Sequence, residues 1–310
     1  MYIKKLNSGE EKLEVTIAGI KLEHPLMNAA GTCKSLEEVQ KLARSPTAAI
    51  MVGSITLQGR EGNKGEVFWT DNVFSLNSIG LANPGVPYYN QYLPAMVNIA
   101  HRAGKPLIVN VAGFNPSEYA TLTKICIEKG ADLVELNLSC PNVWEKEKQE
   151  RIACFDSQLV SEILGCVEEV VGIEANIAIK LSPFSDPFLL KQVAGVIEKF
   201  RAVKAVTTSN TFPNALLFDE KGKPRITPGG GLAGLGGPAL KPIVLGQIKQ
   251  LREVLPKNIA IIGCGGIANG KDIRDFQLAG APVVQICTVL LQFGPEIFVK
   301  LLIEFVDTLN

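Results

Sequence analysis

The strongest constraint on how this chain of 310 residues can fold is a rhythm. Short apolar runs recur, and each leads into a longer stretch with apolar residues at three- and four-residue spacing. The runs cover 26–31, 48–54, 107–113, 133–138, 177–181, 205–209, 259–263 and 283–288. The helical patterns cover 36–44, 117–129, 156–171, 187–200, 240–255, 271–278 and 295–309. Strands that alternate with helices predict a parallel sheet, and runs without polar alternation predict strands buried on both faces. Eight such units predict an α/β fold closed into a (β/α)8 TIM barrel, a single domain over 1–310. An open doubly wound sheet is the alternative, but no Gly-x-Gly-x-x-Gly follows the first run. Ahead of the barrel, Leu13, Val15 and Ile17 alternate with Glu14 and Thr16, which predicts a short hairpin over 12–22.

Charge and cysteine usage narrow the function. Formal net charge is +0, so no basic surplus exists to displace counterions from a nucleic acid. The seven cysteines are scattered with no Cys-x-x-Cys pair, and there are two histidines, which argues against a zinc site or a disulfide framework. Met1–Asn7 lacks a long apolar stretch, and no window is long enough for a membrane span. The expectation is a cytoplasmic protein with neither nucleic acid nor membrane as partner.

In a barrel the loops after the strands build the active face. Long loops are expected after the second strand (55–87), the fourth and the sixth (211–239). The strand ends supply Asn28, Ala30 and Gly31, then Gly53 and Ser54, then Asn110, then Asn137, Ser139 and Cys140. Further on come Lys180, then Ser209, Asn210 and Thr211, then Gly263 to Gly266, and Thr288. The stretch Glu135-Leu-Asn-Leu-Ser-Cys-Pro-Asn142 is the most telling: an apolar strand that ends in a thiol flanked by carboxamides. The turn Gly263–Ile267, with Ala268-Asn269-Gly270 opening a helix, predicts an anion or phosphate site. Gly229–Gly231 and Gly234–Gly237 offer further close backbone. Lys180 ends an apolar strand, and a lysine there calls for an anionic or electron-rich ligand. Val143–Phe155, with charged Glu145, Lys146, Glu147, Lys148, Glu150 and Arg151, reads as a lid.

Together, Asn137-Leu-Ser-Cys140-Pro-Asn142, Asn77-Ser-Ile-Gly80-Leu81 and the Gly263–Gly266 turn resemble the class 1, soluble dihydroorotate dehydrogenases from about residue 18 to the end. Arg60-Glu-Gly-Asn63 and Gly236-Gly237 followed by Leu240-Lys241-Pro242 resemble the homodimeric branch that uses fumarate. Asn110-Val-Ala-Gly113 is closer to the branch that pairs with an iron–sulfur subunit and NAD. The resemblance implies FMN across the barrel mouth, with Ala30, Gly31, Ser54, Asn110, Asn137 and Ser209 around it. Its phosphate would lie at the Gly265–Gly266 turn and near Thr288, Gly237 and Cys287 would also border the cofactor, and Lys180 would face the flavin. It implies Asn77, Asn137, Asn142, Asn210 and Thr211 as holders of dihydroorotate, with Arg60 for the carboxylate. Cys140 would be the general base at carbon 5 while carbon 6 passes hydride to flavin N5, yielding orotate for pyrimidine biosynthesis. Activity should then rise with pH as the thiolate forms.

Two positions depart from the family pattern. Gly53 stands where the family has a lysine, and Cys287 where it has glycine. Lys34 could supply the missing charge, Arg60 could act alone, or the substrate could be a related dihydropyrimidine. A non-redox barrel with Lys180 as a Schiff-base lysine is the rival from another class.

Overall fold

The computed structural model describes residues 13–145 and 148–309. Met1–Asn7, and Lys146 and Glu147 of the expected lid, lie outside the described residues. Numbered in chain order, β1 (Val15–Ile17) and β2 (Ile20–Leu22) form the expected antiparallel hairpin. The eight apolar runs become β3 (Leu26–Asn28), β4 (Ile50–Ile55), β7 (Leu107–Val111) and β8 (Leu133–Asn137), then β11 (Ile177–Leu181), β12 (Val203–Thr208), β15 (Ala260–Cys264) and β16 (Val283–Ile286). They lie in one sheet in the order β3-β16-β15-β12-β11-β8-β7-β4, and every ladder in it is parallel.

The ring closes between β3 and β4 without a regular ladder. Ala48 N donates to Leu26 O at 3.0 Å. The Asn28 carboxamide then substitutes for backbone: its oxygen accepts from Met51 N at 2.9 Å and its nitrogen donates to Met51 O at 2.8 Å. Asn28 was expected at the mouth; it is instead a fully buried staple across the seam.

Alternation within the strands builds two cores. Val52, Val109, Val134, Ile179 and Val206 pack outward against the helices. Met27, Met51, Ile108, Leu133, Ala178 and Ile262 point inward and fill the lower barrel. Ile17 and Leu22 of the hairpin join this inner group, so β1 and β2 plug the floor. Each buried aliphatic side chain of this kind contributes about 1.5–3 kcal/mol. Helix starts follow local chemistry. Ser35 and Glu38 make a capping box before Leu36–Ala43, and Asn115 and Asp186 cap helices that begin with Pro116 and Pro187.

The 55–87 loop leads, as expected, from the second barrel strand to its helix, Val86–Arg102, 17 residues long with Pro94 inside it. The structure differs from the sequence expectation in two places. β16 stops at Ile286, because Thr288–Phe293 coils into a short helix. The two long loops are not irregular. β5 (Phe68–Thr70) and β6 (Ser75–Asn77) from the first meet β13 (Phe212–Ala215) and β14 (Ala233–Gly236) from the second. They form one antiparallel sheet in the order β13-β14-β6-β5, with Leu76, Ile226 and Ala233 as its small core. The loop after β8 carries a further hairpin, β9 (Trp144–Glu145) and β10 (Lys148–Gln149). Among the described residues no helix is long and apolar enough to cross a membrane.

Candidate active site

Strand register decides which side chains meet. Lys180 lies level with Asn137 on one side and Thr207 on the other. Two residues below Asn137, on the same inward face, is Glu135. It is wholly buried and accepts from Asn110 Nδ2 (2.7 Å), Thr207 Oγ1 (2.5 Å) and Gln285 Nε2 (3.2 Å). Burial works against the Lys180 ammonium, yet Cys264 and Glu135 outweigh it and hold its pKa above the ordinary lysine value.

Above this layer the mouth holds a cavity of about 500 Å³ and an adjoining one of about 120 Å³. Ala30, Gly31, Asn77, Lys180 and Asn210 border both. Ser209, Thr211, Gly237, Gly265, Gly266, Cys287 and Thr288 border the larger. Ser54, Asn137, Cys140 and Asn142 border the smaller. Two expected residues border neither. Asn110 lies deeper, bound to Glu135. Arg60 stands aside, its guanidinium 5.0 Å from the Phe114 ring centroid and its Nε donating to Gly80 O at 3.2 Å.

The asparagines are already tied to one another. Asn137 donates to Ser54 Oγ (3.0 Å) and accepts from Ser139 Oγ (3.1 Å) and Asn210 Nδ2 (3.3 Å). Asn142 Nδ2 donates to Asn77 Oδ1 (3.0 Å) and Asn77 O (2.8 Å), and Asn77 donates to Gly234 O (3.2 Å). This network links β8 to the antiparallel sheet and orients the carboxamides before any ligand arrives. Ser209 Oγ, Thr211 Oγ1 and Gln285 Oε1, all in residues bordering the larger cavity, are buried with no hydrogen-bond partner. Such orphaned atoms are costly unless a ligand satisfies them.

Burial pushes the Cys140 thiol up, while the Asn142 backbone N–H, Arg60, Lys180 and Lys34 pull the other way without prevailing. Lys34 borders both cavities and its ammonium donates to Ala82 O at 2.6 Å. Burial lowers its pKa, and the charge of Glu38 opposes that. Gly53 has φ +112°, and a Cβ there would lie 2.2 Å from Asn110 O, so this backbone excludes any side chain at the position. Burial also pushes Cys287 up to about 11, keeping it a neutral thiol.

The glycine turn is built for close approach. A Cβ on Gly266 would come within 2.5 Å of Lys241 N. The helix that follows is not the anion site expected of it. Ala268 N and Asn269 N donate to Asp272 Oδ2 (2.7 and 3.0 Å), and Gly270 N donates to Glu304 Oε2 (2.9 Å). Its N-terminal N–H groups are thus taken by the chain's own carboxylates, and Lys241 pairs with Asp272 and Asp275. Nor do Gly229–Gly231 border the cavity: Gly229 packs against the Trp144 indole.

Sequence reading passed over Glu135 and Gln285. The cue was present: a charged residue inside an apolar strand, two positions before Asn137, must share its face.

Fold and site together define a (β/α)8 barrel whose ligand cavity opens at the C-terminal ends of its strands, the arrangement of barrel enzymes. The chain belongs to the dihydroorotate dehydrogenase family, whose description matches residues 12–309. It is 34% identical over 295 residues to an Enterococcus faecalis protein named "Probable dihydroorotate dehydrogenase A (fumarate)", covering 93% of this chain and 91% of that one. It is 32% identical over 302 residues to dihydroorotate dehydrogenase A (fumarate) of Lactococcus lactis subsp. cremoris, covering 96% and 94%. These names are those of the class 1, soluble type that the sequence motifs resemble. A crystal structure of DHODH in complex with ferulenol from Eimeria tenella matches with a TM-score of 0.78 at 18% identity, over 96% of this chain and 85% of that one. At that identity the likeness concerns the barrel fold alone.

Proposed function

We propose that the protein is an FMN-dependent dihydroorotate dehydrogenase of pyrimidine biosynthesis, cytoplasmic and homodimeric, with fumarate as electron acceptor. The observation that carries this reading is the meeting of Cys140, Lys180 and four linked asparagines on two adjoining cavities.

The residues fit FMN. The larger cavity has the size of a cofactor pocket, and the orphaned Ser209, Thr211 and Gln285 oxygens await polar partners. The Gly265–Gly266 turn and Thr288, whose hydroxyl meets Ser75 Oγ at 2.9 Å, would hold the phosphate. When bound, FMN supplies the acceptor for the hydride that leaves carbon 6. Lys180, kept protonated by its neighbours, places positive charge where negative charge develops. The same protonation speaks against the Schiff-base alternative, which needs a neutral amine.

Asn77, Asn137, Asn142 and Asn210 present donors and acceptors to a ring edge of alternating N–H and C=O groups. The Cys140 thiolate removes the carbon 5 proton, becoming a thiol. Lys34 fills the role of the charge that Gly53 cannot carry and receives the substrate carboxylate; its ammonium uses one of three donors within the chain. Arg60 adds to the field at Cys140 from outside the cavity.

An anaerobic titration tests this. Purified protein is expected to show a flavin band that bleaches on addition of dihydroorotate alone. A band that persists with dihydroorotate but bleaches with dihydrouracil would move the substrate to the related ring. Protein that cannot be loaded with FMN would overturn the flavin reading.

A further inference from the structure

Cys140 borders a second space that the proposed reaction does not use. It is a cavity of about 130 Å³ under the 143–155 loop. Tyr119 and Leu138 bound it on the barrel side, and Val143, Glu150 and Ala153 on the loop side. Among the described residues only Leu81, Asn137 and Cys140 border both this space and the substrate cavity.

A base that takes a proton in every turnover must return it to water. With substrate and flavin in place, the mouth side of Cys140 is filled by the reactants. The space under the loop remains. At about 30 Å³ of liquid volume each, it has room for several waters. Tyr119 is no acceptor there: its hydroxyl donates to Asn137 O at 2.7 Å, and burial holds the phenol neutral. Arg151 is committed to Asp156 at 2.8 Å. Among the described residues Glu150 is the one carboxylate bordering the space, and its residue is exposed to solvent.

We propose that this space is the proton exit of Cys140, with Glu150 as the relay to solvent. The inference rests on Cys140 acting as the base. After each turnover the S–H bond breaks heterolytically and sulfur keeps the electron pair. The proton passes through water to the Glu150 carboxylate and then to bulk, and no electron moves.

The test compares the parent holoenzyme with Glu150→Gln, Glu150→Asp and Ala153→Leu, the last filling the space. In anaerobic stopped flow at a pH above the Cys140 inflection, where the thiolate is formed before mixing, the first flavin reduction by dihydroorotate is expected to stay within about twofold of the parent. Turnover with fumarate is expected to fall by at least about tenfold in Glu150→Gln and Ala153→Leu, to show a larger solvent isotope effect, and to recover in Glu150→Asp. Parallel loss of both phases, or loss of neither, overturns the proposal. A second measurement needs no turnover: labelling of Cys140 by methyl methanethiosulfonate, with and without orotate, read by mass spectrometry. Orotate should leave the parent reactive, and Ala153→Leu should be protected; equal labelling overturns the route. If dihydroorotate does not reduce the parent's flavin, the substrate reading has failed; the labelling comparison is then made with whichever dihydropyrimidine product perturbs the flavin spectrum, and it still decides whether this path to the thiol exists.

Discussion

Desolvation makes the Cys140 thiol resist ionisation, and the base proposed for it must be ionised to act. The rate of flavin reduction should therefore climb with pH, with its inflection above the ordinary thiol range; a rate flat from neutral to alkaline pH would remove the thiol from this role. Cys140→Ser should keep the flavin spectrum and slow reduction by about 10²- to 10⁴-fold. Lys34→Gln retains a donor for Ala82 O but no charge. It should raise KM for dihydroorotate by about ten- to a hundredfold, the worth of one charged hydrogen bond, with a smaller effect on kcat. Unchanged kinetics would return the carboxylate to Arg60. At this scale the sequence was informative where a residue type had no packing rationale, as with Cys140, Lys180 and the asparagines. It placed Asn28 at the mouth and did not reveal the partners of Glu135, because the work of both lies in residues far along the chain: Met51, and Asn110, Thr207 and Gln285.

At the level of elements, the loop after β8 is held down by particular contacts. Trp144 Nε1 donates to Ser78 Oγ at 3.4 Å, and its ring sits where a Cβ on Gly229 would be 2.1 Å away. Gln149 Nε2 ties the hairpin back to Pro141 O at 2.6 Å. Trp144→Ala should loosen this cover by about 1–2 kcal/mol, seen as roughly tenfold faster amide exchange across 143–155 with the barrel strands unchanged. Exchange at the parent rate would show that the indole is not the latch. The barrel strands were legible because each is built on a short apolar run. The four-stranded sheet was not, because β6 finds its partner β14 more than a hundred residues later, and pairing over such a distance leaves no local pattern. The capped helix at Asn269 shows the converse: its start was readable, but the carboxylates that fill its N-terminus were not.

For the whole molecule, the floor and the mouth have separate tasks, as is general for this architecture. His24 lies in the floor with both ring nitrogens engaged: Nε2 meets Pro46 O at 2.7 Å and Nδ1 accepts from Leu26 N at 3.2 Å. That pattern requires the neutral ring, and burial brings its pKa down to about 4. The unfolded chain takes up this proton near pH 6.5, the folded chain only near pH 4. Stability from this residue is thus whole above about pH 6.5 and lost as pH falls toward 4, by up to about 3 kcal/mol. Melting temperature should drop over that window, and His24→Gln should flatten the drop; identical slopes would place the acid sensitivity elsewhere. The pairing of β6 with β14 has one more consequence, for synthesis on the ribosome. The wall over the cavity needs Ser75–Asn77 and Ala233–Gly236 together, and the cavity's far rim needs Gly266 and Thr288 as well. A nascent chain that has delivered β11 but not β14 presents Cys140 and Lys180 without the β14 part of the wall above them. Under the proposed function, flavin loading is therefore a late event, and translation that stalls before β14 releases a polypeptide that flavin is not expected to rescue.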